Sequence, residues 1–293
     1  MRRTARVVLP SSILVLQLGC ATSVGVDQLA QQPSPQWPPA PDNARVTYLY
    51  SITMPADAQI RRGFFGRAWR FIKGASAEGI ARPQAIHVDG GSRLYIVDTV
   101  QKRIHVFDSA GSEYYWFPKE PEPGFEFPVG IAADGKGRVY VSDASSGVIH
   151  VFDSYGKKYL TAIGETRLSR PTGLAVRPNS GDLLVVDTLA SSVVVFDTRN
   201  FREKRRTGYS GEADDALHYP TDIALASDGS VYVTDSLNFR IQILNADLDF
   251  EARFGDVGDG PGFFSRPKGV AVDSDGNIYV VDALFDNVQI FNR

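Results

Sequence analysis

The apolar residues of this chain fall into short runs that recur with nearly constant spacing between residues 83 and 293. Each unit begins at a proline and contains three apolar runs rich in Val, Ile, Tyr and Phe, with an aspartate ending the second run. The units begin at Pro83, Pro128, Pro171, Pro220 and Pro267, and their aspartates are Asp98, Asp143, Asp187, Asp235 and Asp282. Runs of this length and composition are typical of strands, and their period of 43–49 residues predicts a repeated small sheet.

A fourth, more variable run follows the third in the units that start at Pro83, Pro128, Pro171 and Pro220. Glycine-containing turns separate the first and second runs and are expected to supply positive φ; they are Asp89-Gly90-Gly91, Asp134-Gly135, Ser180-Gly181, Asp228-Gly229 and Asp275-Gly276. Four antiparallel strands repeated at this period form a propeller blade. We therefore predict an all-β fold, a β-propeller of four-stranded antiparallel blades with five repeats.

This topology places the loops on two faces. In an antiparallel meander alternate connections lie on the same side, so the loops before the prolines share a face with the loops after the aspartates. We call this the proline-loop face. The hairpins between the first and second strands lie on the opposite face.

The propeller domain is predicted to span residues 44–293, and its fifth unit shows no fourth run after residue 291. Residues 45–52 (RVTYLYSI) are the natural candidate to pair with residues 288–291, because an unpaired edge strand invites aggregation. The residues between this segment and Pro83 are too few for a sixth blade. The prediction is thus a five-blade ring closed by an N-terminal strand, and the alternative is a six-bladed relative shortened by one blade.

The first twenty residues indicate export. Arg2, Arg3 and Arg6 precede the apolar residues 7–18, a pattern typical of a signal peptide over residues 1–19. Cys20 is the single cysteine, and its position resembles the lipid-modified cysteine of bacterial lipoproteins. A plain secretory signal cleaved elsewhere is the alternative. Residues 20–43 are rich in Pro, Gln and Ala and are predicted to form a tether.

Residues 59–73 (QIRRGFFGRAWRFIK) are predicted to form one short amphipathic helix. Its apolar stripe contains Ile60, Phe64, Phe65, Ala68, Trp69, Phe71 and Ile72, and its basic stripe contains Arg62, Arg67, Arg70 and Lys73. Such a helix could lie on an anionic membrane surface. The other interpretation is that its aromatic stripe packs on the propeller and covers an opening or an edge.

The repeated runs resemble those of a known family. Residues 220–225 (PTDIAL), 231–235 (VYVTD) and 240–244 (RIQIL) are similar to the NHL repeat, and so are the matching runs of the fifth unit. The similarity covers about residues 81–293, and the whole chain resembles bacterial lipoproteins that carry a six-bladed NHL propeller behind a Pro-rich linker. This resemblance implies a location in the cell envelope, either the periplasm or the outer membrane face.

Charge and spacing exclude several kinds of chemistry. Removing residues 1–19 moves the formal net charge from −3 to −6, which argues against nucleic-acid binding. No zinc-type spacing, nucleophile elbow or phosphate-binding glycine loop is found, so no metal or catalytic residue is assigned. The five repeated aspartates could hold a divalent cation, but repetition in every blade favours a role in binding the following turn. His105 and His150 occupy matching strand positions and are interpreted as packing residues.

The sequence favours a non-catalytic binding propeller that recognises a protein or an envelope polymer on the proline-loop face. The predicted contact residues are Arg82, Arg103, Arg170, Asp222, Asn238, Phe239, Arg240, Arg266, Lys268, Phe285 and Asn287. No residue is identified that breaks the symmetry of the blades. The alternative is a calcium-dependent, lactonase-like hydrolase or a lyase, proposed from fold analogy, for which calcium would be the cofactor.

Overall fold

The computed structural model describes residues 35–37, 46–49, 51–53, 79–119 and 123–292. The chain divides into two compact units, Met1–Ile52 and Thr53–Arg293. In the first unit, β1 (Gln36–Trp37) pairs in antiparallel fashion with β2 (Val46–Thr47). The predicted signal peptide, Cys20 and the helix over residues 59–73 lie outside the described residues.

The second unit contains five antiparallel sheets, each built from strands that follow one another in the sequence. The first sheet comprises β3 (Pro83–Val88), β4 (Arg93–Asp98), β5 (Arg103–Asp108) and β6 (Glu113–Phe117). The second comprises β7 (Pro128–Ala133), β8 (Val139–Asp143), β9 (Val148–Asp153) and β10 (Lys158–Ile163). The third comprises β11 (Pro171–Val176), β12 (Asp182–Asp187), β13 (Ser192–Asp197) and β14 (Glu203–Thr207). The fourth comprises β15 (Pro220–Leu225), β16 (Val231–Asp235), β17 (Arg240–Leu244) and β18 (Phe250–Phe254), and the fifth comprises β19 (Pro267–Val272), β20 (Ile278–Asp282) and β21 (Asn287–Phe291).

These sheets are the blades of a propeller, so the predicted all-β propeller with five repeats is confirmed. Each first strand begins at the repeat proline, whose missing N–H suits the first residue of a strand. The first strands β3, β7, β11, β15 and β19 contact one another in this order, so they are innermost and line the central channel. Short 3₁₀ turns at Ser154–Gly156 and Ser236–Asn238 are the helical elements among the described residues.

The core is a series of apolar layers between successive blades. Val97 and Ile104 of the first blade pack with Ile131 and Val141 of the second, and all are at most 5% exposed. Equivalent layers join the second to the third blade, the third to the fourth and the fourth to the fifth. Side chains of the first strand therefore alternate between the preceding and the following blade, as the two-residue period of a strand requires.

The positive-φ positions of the hairpins differ in part from the prediction. Gly229 and Gly276 adopt φ of 95° and 85°, as expected, but in the second blade the residue with positive φ is Gly137 (91°) rather than Gly135. In the first blade it is Ser92, at 61°. All four residues occupy the fourth position of their loop. In the third blade it is the predicted Gly181, at 71°, the fifth residue of its loop. The left-handed residue therefore occupies the last or next-to-last position of each loop, whether or not an Asp-Gly pair is present.

The N-terminal closing strand expected over residues 45–52 stays a prediction. Val46–Thr47 pair with Gln36–Trp37, and the sheet of the fifth blade has the order β19-β20-β21, with β21 at its edge. Strands separated by a short loop pair with a smaller loss of chain entropy than strands at opposite ends of the sequence. The edge of β21 therefore remains unpaired among the described residues.

Candidate functional site

The repeated aspartates join the loops of the proline-loop face to the blades. Asp98 accepts hydrogen bonds from the backbone N–H groups of Ala81 at 2.6 Å and of Gln101 at 3.0 Å. Asp282 accepts comparable hydrogen bonds from the backbone N–H groups of Ser265 at 2.7 Å and of Leu284 at 2.9 Å. All five aspartates have 0% exposure. The predicted turn-binding role is therefore confirmed, and these carboxylates are occupied by the protein itself.

The same hydrogen bonds determine how these carboxylates ionise. Burial alone would raise the pKa of Asp98, but four backbone N–H donors outweigh it and the pKa lies below its ordinary value. Asp282 behaves in the same way. Asp235 differs, because burial keeps its pKa above the ordinary value although Arg240 and Asn238 oppose the rise.

One inner-strand position breaks the symmetry of the blades, and this corrects the sequence analysis. Two residues after each repeat proline the side chain is small in four blades, and the fourth blade carries a carboxylate; the five residues are Ala85, Gly130, Gly173, Asp222 and Gly269. Oδ2 of Asp222 accepts a hydrogen bond of 3.1 Å from the backbone N–H of Val270 on the neighbouring inner strand. The wall of the channel thus carries one acidic side chain at this level.

The surroundings of Asp222 favour its neutral form. Burial raises its pKa to about 6, while hydrogen bonds from the backbone N–H groups of Val270 and Ile223 oppose the rise. Thr234 lies directly opposite Asp222 on β16, and its buried Oγ1 has no hydrogen-bond partner among the described residues. A carboxyl group that titrates near neutrality beside an unsatisfied hydroxyl is typical of a functional site.

Basic residues lie at the channel end on the proline-loop face. Lys268 is exposed on β19, directly after the repeat proline of the fifth blade. Burial of its amine lowers its pKa, and the positive charges of Arg266 and Arg82 lower it further. Arg82 precedes the first blade and Arg266 precedes the fifth. Positive charges from two blades therefore act on the amine of Lys268. Asp222 binds the backbone N–H of Val270, two residues after Lys268, and we call Asp222, Lys268, Arg82 and Arg266 the channel-mouth cluster.

Three of the predicted contact residues serve the structure instead. Arg240 is 4% exposed; its Nε donates to Asp235 at 2.8 Å and its Nη2 donates to the carbonyl oxygen of Ala216 at 2.8 Å. Asn238 donates to the carboxylate of Asp235 and to the carbonyl oxygen of Gly211, at 2.8 and 2.9 Å. Phe239 packs on the apolar layer between the fourth and fifth blades. Arg240 and Asn238 therefore hold the loop before Pro220 in place.

The remaining predicted contact residues lie in the loops of the proline-loop face. Arg170 is partly buried before Pro171, and Phe285 and Asn287 are exposed around the turn that follows Asp282. The guanidinium of Arg103 lies over the ring of Trp116, 4.5 Å from its centroid. The same rule that selected the arginines also selects Phe127 and Tyr219, which precede the prolines of the second and fourth blades. The sequence analysis missed these two aromatic residues, although their place before the prolines could have identified them.

Calcium is the cofactor expected under the hydrolase alternative, and it stays a prediction. Calcium takes six to eight oxygen ligands in proteins. No group of three or more His, Cys, Asp or Glu side chains within the described ranges is arranged to hold a metal ion. The repeated aspartates are bound by backbone N–H groups, and Asp222 is a single carboxylate. Asp222 and the neighbouring cations are the described groups at the channel mouth that could take part in chemistry.

The histidines are part of the packing. His105 contacts the hydroxyl of Tyr114 through Nδ1 at 2.8 Å. His150 stacks edge-on against Phe125, and burial lowers its pKa. His87 accepts a hydrogen bond of 3.2 Å from the backbone N–H of Ala133, which joins the first blade to the second. The packing role predicted for His105 and His150 is confirmed.

A basic surface lies on the outer strand β14. A shallow depression there is lined by Arg167, Glu203, Lys204, Arg205 and Arg206. Lys204 pairs with Asp182 at 2.9 Å, Arg205 with Asp249 at 2.8 Å, and Arg206 with Glu203 at 3.2 Å. These charges are compensated within the protein, and charged side chains on an outer strand protect a sheet edge from aggregation.

Comparison with known families assigns this chain. The model of the SGL family, described as the SMP-30/Gluconolactonase/LRE-like region, matches residues 86–293. The chain therefore belongs to this family. No match was found among curated proteins.

Solved structures share the propeller fold. Virginiamycin B lyase from Staphylococcus aureus is 17% identical, with a TM-score of 0.55 over 72% of this chain and 70% of that chain. A streptogramin B lyase is 14% identical, with a TM-score of 0.56 over 72% and 68%. A chain of a nidogen/laminin complex is 18% identical, with a TM-score of 0.58 over 73% and 79%. At these identities the likeness shows the fold alone. No described helix is both long enough and apolar enough to cross a bilayer.

Proposed function

We propose that this chain is a propeller enzyme, a hydrolase or a lyase, whose site is the channel-mouth cluster. The observation that carries the proposal is the single carboxylate, Asp222, on a channel wall that is otherwise lined at that level by glycine and alanine. With a pKa of about 6 it is mostly ionised at neutral pH, where it can accept a proton and return it. A general acid or base works best when its pKa lies near the operating pH.

The cluster suits an anionic substrate with an activated carbonyl group. Lys268, Arg82 and Arg266 would pair with a carboxylate of the substrate or with the oxyanion that forms at the carbonyl. Ionised Asp222 would remove a proton from a water molecule that attacks the carbonyl carbon of a lactone or an ester. In a lyase the same carboxylate would remove a proton from the carbon next to the bond that breaks.

The comparisons support this class of function. The description of the family names gluconolactonase, and two of the solved propellers are named as lyases. They do not favour the non-catalytic scaffold that the sequence analysis preferred. Recognition of a protein or an envelope polymer by the same face is therefore the alternative outcome of the test.

The test is a panel of small lactones and esters, with and without a carboxylate, assayed by proton release for hydrolysis and by ultraviolet absorbance for elimination. We expect turnover of carboxylate-bearing compounds and a loss of about 100-fold or more in Asp222→Asn, the typical contribution of a general acid or base. Lys268→Gln should raise KM. Asp247→Asn changes an exposed carboxylate on the opposite face of the same blade and should leave turnover unchanged.

Two results would contradict the proposal. Full activity in Asp222→Asn would exclude this carboxylate as the acid or base. Absence of turnover in the wild-type protein, together with a binding partner that is lost in the triple change of Arg82, Arg170 and Arg266 to Ala, would establish a binding protein instead.

We further propose that the chain is exported and anchored to a membrane of the cell envelope through a lipid on Cys20. The supporting observation is the basic and apolar sequence of residues 1–19 directly before that cysteine. Labelling of expressing bacteria with radioactive palmitate should mark the wild-type protein and not Cys20→Ser. Equal labelling of both proteins, or of neither, would reject the anchor.

A further inference from the structure

The loops of the two propeller faces differ in the apolar side chains that they expose. In the described loops of the proline-loop face, nine large apolar residues are each at least 38% exposed. The described loops of the opposite face expose no large apolar residue. The proline-loop face is therefore the apolar side of the disc.

Four of these nine residues occupy one repeated position, the second residue after the repeat aspartate. Val100 is 61% exposed, Leu189 60%, Leu237 47% and Leu284 59%. The second blade carries Ser145 there, so the turn forms without an aliphatic residue. Folding favours the burial of such side chains, and exposed apolar residues that recur on one face mark an interaction surface.

Three of the four aliphatic residues lie beside an arginine. In the first, third and fifth blades, the carbonyl oxygen of the arginine before the repeat proline accepts a hydrogen bond from the backbone N–H of the residue that directly precedes the aliphatic one. These bonds run from Thr99 to Arg82 at 3.2 Å, from Thr188 to Arg170 at 2.9 Å and from Ala283 to Arg266 at 3.0 Å. Arg82 and Arg266 are exposed, and Arg170 is partly exposed. Each of these blades thus presents a cation and an aliphatic side chain from adjoining loops.

The distribution of these residues fits the surface of a bilayer better than a protein. A protein interface has an apolar centre and a polar rim. The centre of this face is the channel mouth with Asp222 and Lys268, and the exposed apolar residues lie in the loops around it. A bilayer presents acyl chains and phosphate groups over its whole area, so contacts from separate loops can form together.

Acidic side chains decide which loops approach an anionic surface most closely. Most acidic residues in the described loops of this face lie before Pro220 and Pro267; they are Glu212, Asp214, Asp215, Asp256 and Asp259. Asp214 pairs with Arg253 at 2.7 Å, and Asp215 accepts a hydrogen bond from Tyr209. The other three would be repelled by anionic lipid, so we expect the loops of the first and third blades to make the strongest electrostatic contacts.

We propose that the proline-loop face docks on the surface of a phospholipid bilayer that contains anionic lipid. The aliphatic side chains two residues after the repeat aspartates enter the boundary between the head groups and the acyl chains, and Arg82, Arg170 and Arg266 bind phosphate groups. This contact is distinct from the lipid proposed at Cys20. It does not depend on the chemistry proposed for the channel mouth.

The first test measures sedimentation with vesicles of phosphatidylglycerol and phosphatidylcholine. The full chain carries Cys20→Ser, so that no lipid at this residue contributes. Leu189→Ser combined with Leu284→Ser should weaken binding by about tenfold or more, because two apolar side chains no longer enter the bilayer. The matched control combines Leu160→Ser with Phe250→Ser, two residues 37% exposed on the outer strands β10 and β18, and should bind as before. Equal binding of the two double variants would overturn the proposal.

The same vesicles test the phosphate contact at an arginine outside the channel-mouth cluster. Arg170→Gln should weaken binding by about fivefold at low salt, the usual effect of one cation at an anionic membrane, and by less at high salt. Binding equal to that of the unsubstituted arginine at low salt would overturn the phosphate contact and the proposal with it.

A third test shows which face meets the lipid. An environment-sensitive fluorophore is attached at Leu237→Cys or at Asp247→Cys, in the full chain with Cys20→Ser. The two residues lie on opposite faces of the fourth blade, and Leu237 is 47% exposed. We expect a blue shift on addition of vesicles at residue 237 and no shift at residue 247. Equal shifts, or a shift at residue 247 alone, would overturn the proposal. Absence of vesicle binding would overturn it as well and leave a protein as the occupant of this face.

Discussion

Gly173 of the third blade lies directly against Asp222 of the fourth. A Cβ atom added at Gly173 would lie 2.6 Å from Cα of Asp222 and 2.8 Å from its Oδ1, closer than real side chains approach one another. The close approach of the two inner strands therefore requires a glycine opposite the one carboxylate at this level of the channel. The position of Asp222 is thus set by its neighbours in two blades, Gly173 on one side and Val270 on the other.

Gly173→Ala should accordingly destabilise the protein by about 1–3 kcal/mol, the usual cost of inserting a methyl group into a packed site. It should also lower any activity that depends on Asp222, because the carboxylate must move. Urea unfolding followed by circular dichroism measures the first effect. Gly135→Ala is the matched control, since a Cβ there meets nothing within 4 Å and should change stability by less than about 0.5 kcal/mol. Equal stability of the two variants would contradict the close approach.

Arg240 and Arg266 should differ sharply although both were predicted to contact a ligand. Arg240→Ala removes the partner of the fully buried Asp235 and should cost about 3–5 kcal/mol, as for other broken buried ion pairs. Arg266 is exposed, and its replacement by Ala should leave stability within about 0.5 kcal/mol. Thermal unfolding of both variants measures the difference. A stable Arg240→Ala variant would show that the arginine does not hold the loop before Pro220.

The repeated aspartates should make the stability of the folded protein depend on pH at acidic values. The pKa of Asp98 is lower in the folded protein than its ordinary value of 3.8, so its contribution is present above that value and is lost as the pH falls through the folded pKa. Asp98→Asn should therefore be less stable than the wild-type protein by about 3 kcal/mol at pH 7. The two proteins should converge once the pH falls below the folded pKa of Asp98, a convergence that unfolding curves recorded from pH 7 downward would reveal. A constant difference at every pH would argue against ionisation as its source.

The strands and turns could be predicted from the sequence because the same pattern of residues is repeated in every blade. Proline at the first residue of the first strand and an aspartate at the end of the second follow from local backbone chemistry, and all five repeats obey it. The spacing of Pro220 and Asp235 in one repeat would not identify a fold. Five repeats with the same spacing indicate a propeller. The fold could therefore be predicted from the repeats.

The site was harder because it depends on exceptions to the pattern. Asp222 stands out when the position two residues after each proline is compared across the blades, a comparison that the sequence alone permits. The burial of Arg240 could not be predicted in this way, since it donates to carbonyl groups of Ala213 and Ala216, 27 and 24 residues away in a loop of irregular conformation. The partner of Val46–Thr47 was also beyond the pattern, because a two-residue strand carries too little sequence to choose its neighbour.

Asp222 should reduce the stability of the folded protein above neutral pH. Its folded pKa of about 6 lies above the ordinary 3.8, so the stability associated with its protonated form is present below the ordinary pKa and is lost as the pH rises through 6. Asp222→Asn keeps the neutral shape at every pH and should be more stable than the wild-type protein by about 2–3 kcal/mol at pH 8. Near pH 3 the two should be equal. A destabilised Asp222→Asn at pH 8 would indicate that the carboxylate is a structural anion.

The most direct measurement of the central claim is the titration of the side-chain carboxyl carbons by ¹³C nuclear magnetic resonance, with Asp222→Asn identifying the signal of Asp222. The account predicts one aspartate signal that titrates near pH 6 and disappears in the variant. Titration of Asp222 at or below its ordinary value of 3.8 would contradict the account, because the channel mouth would then hold no group able to exchange a proton near neutral pH.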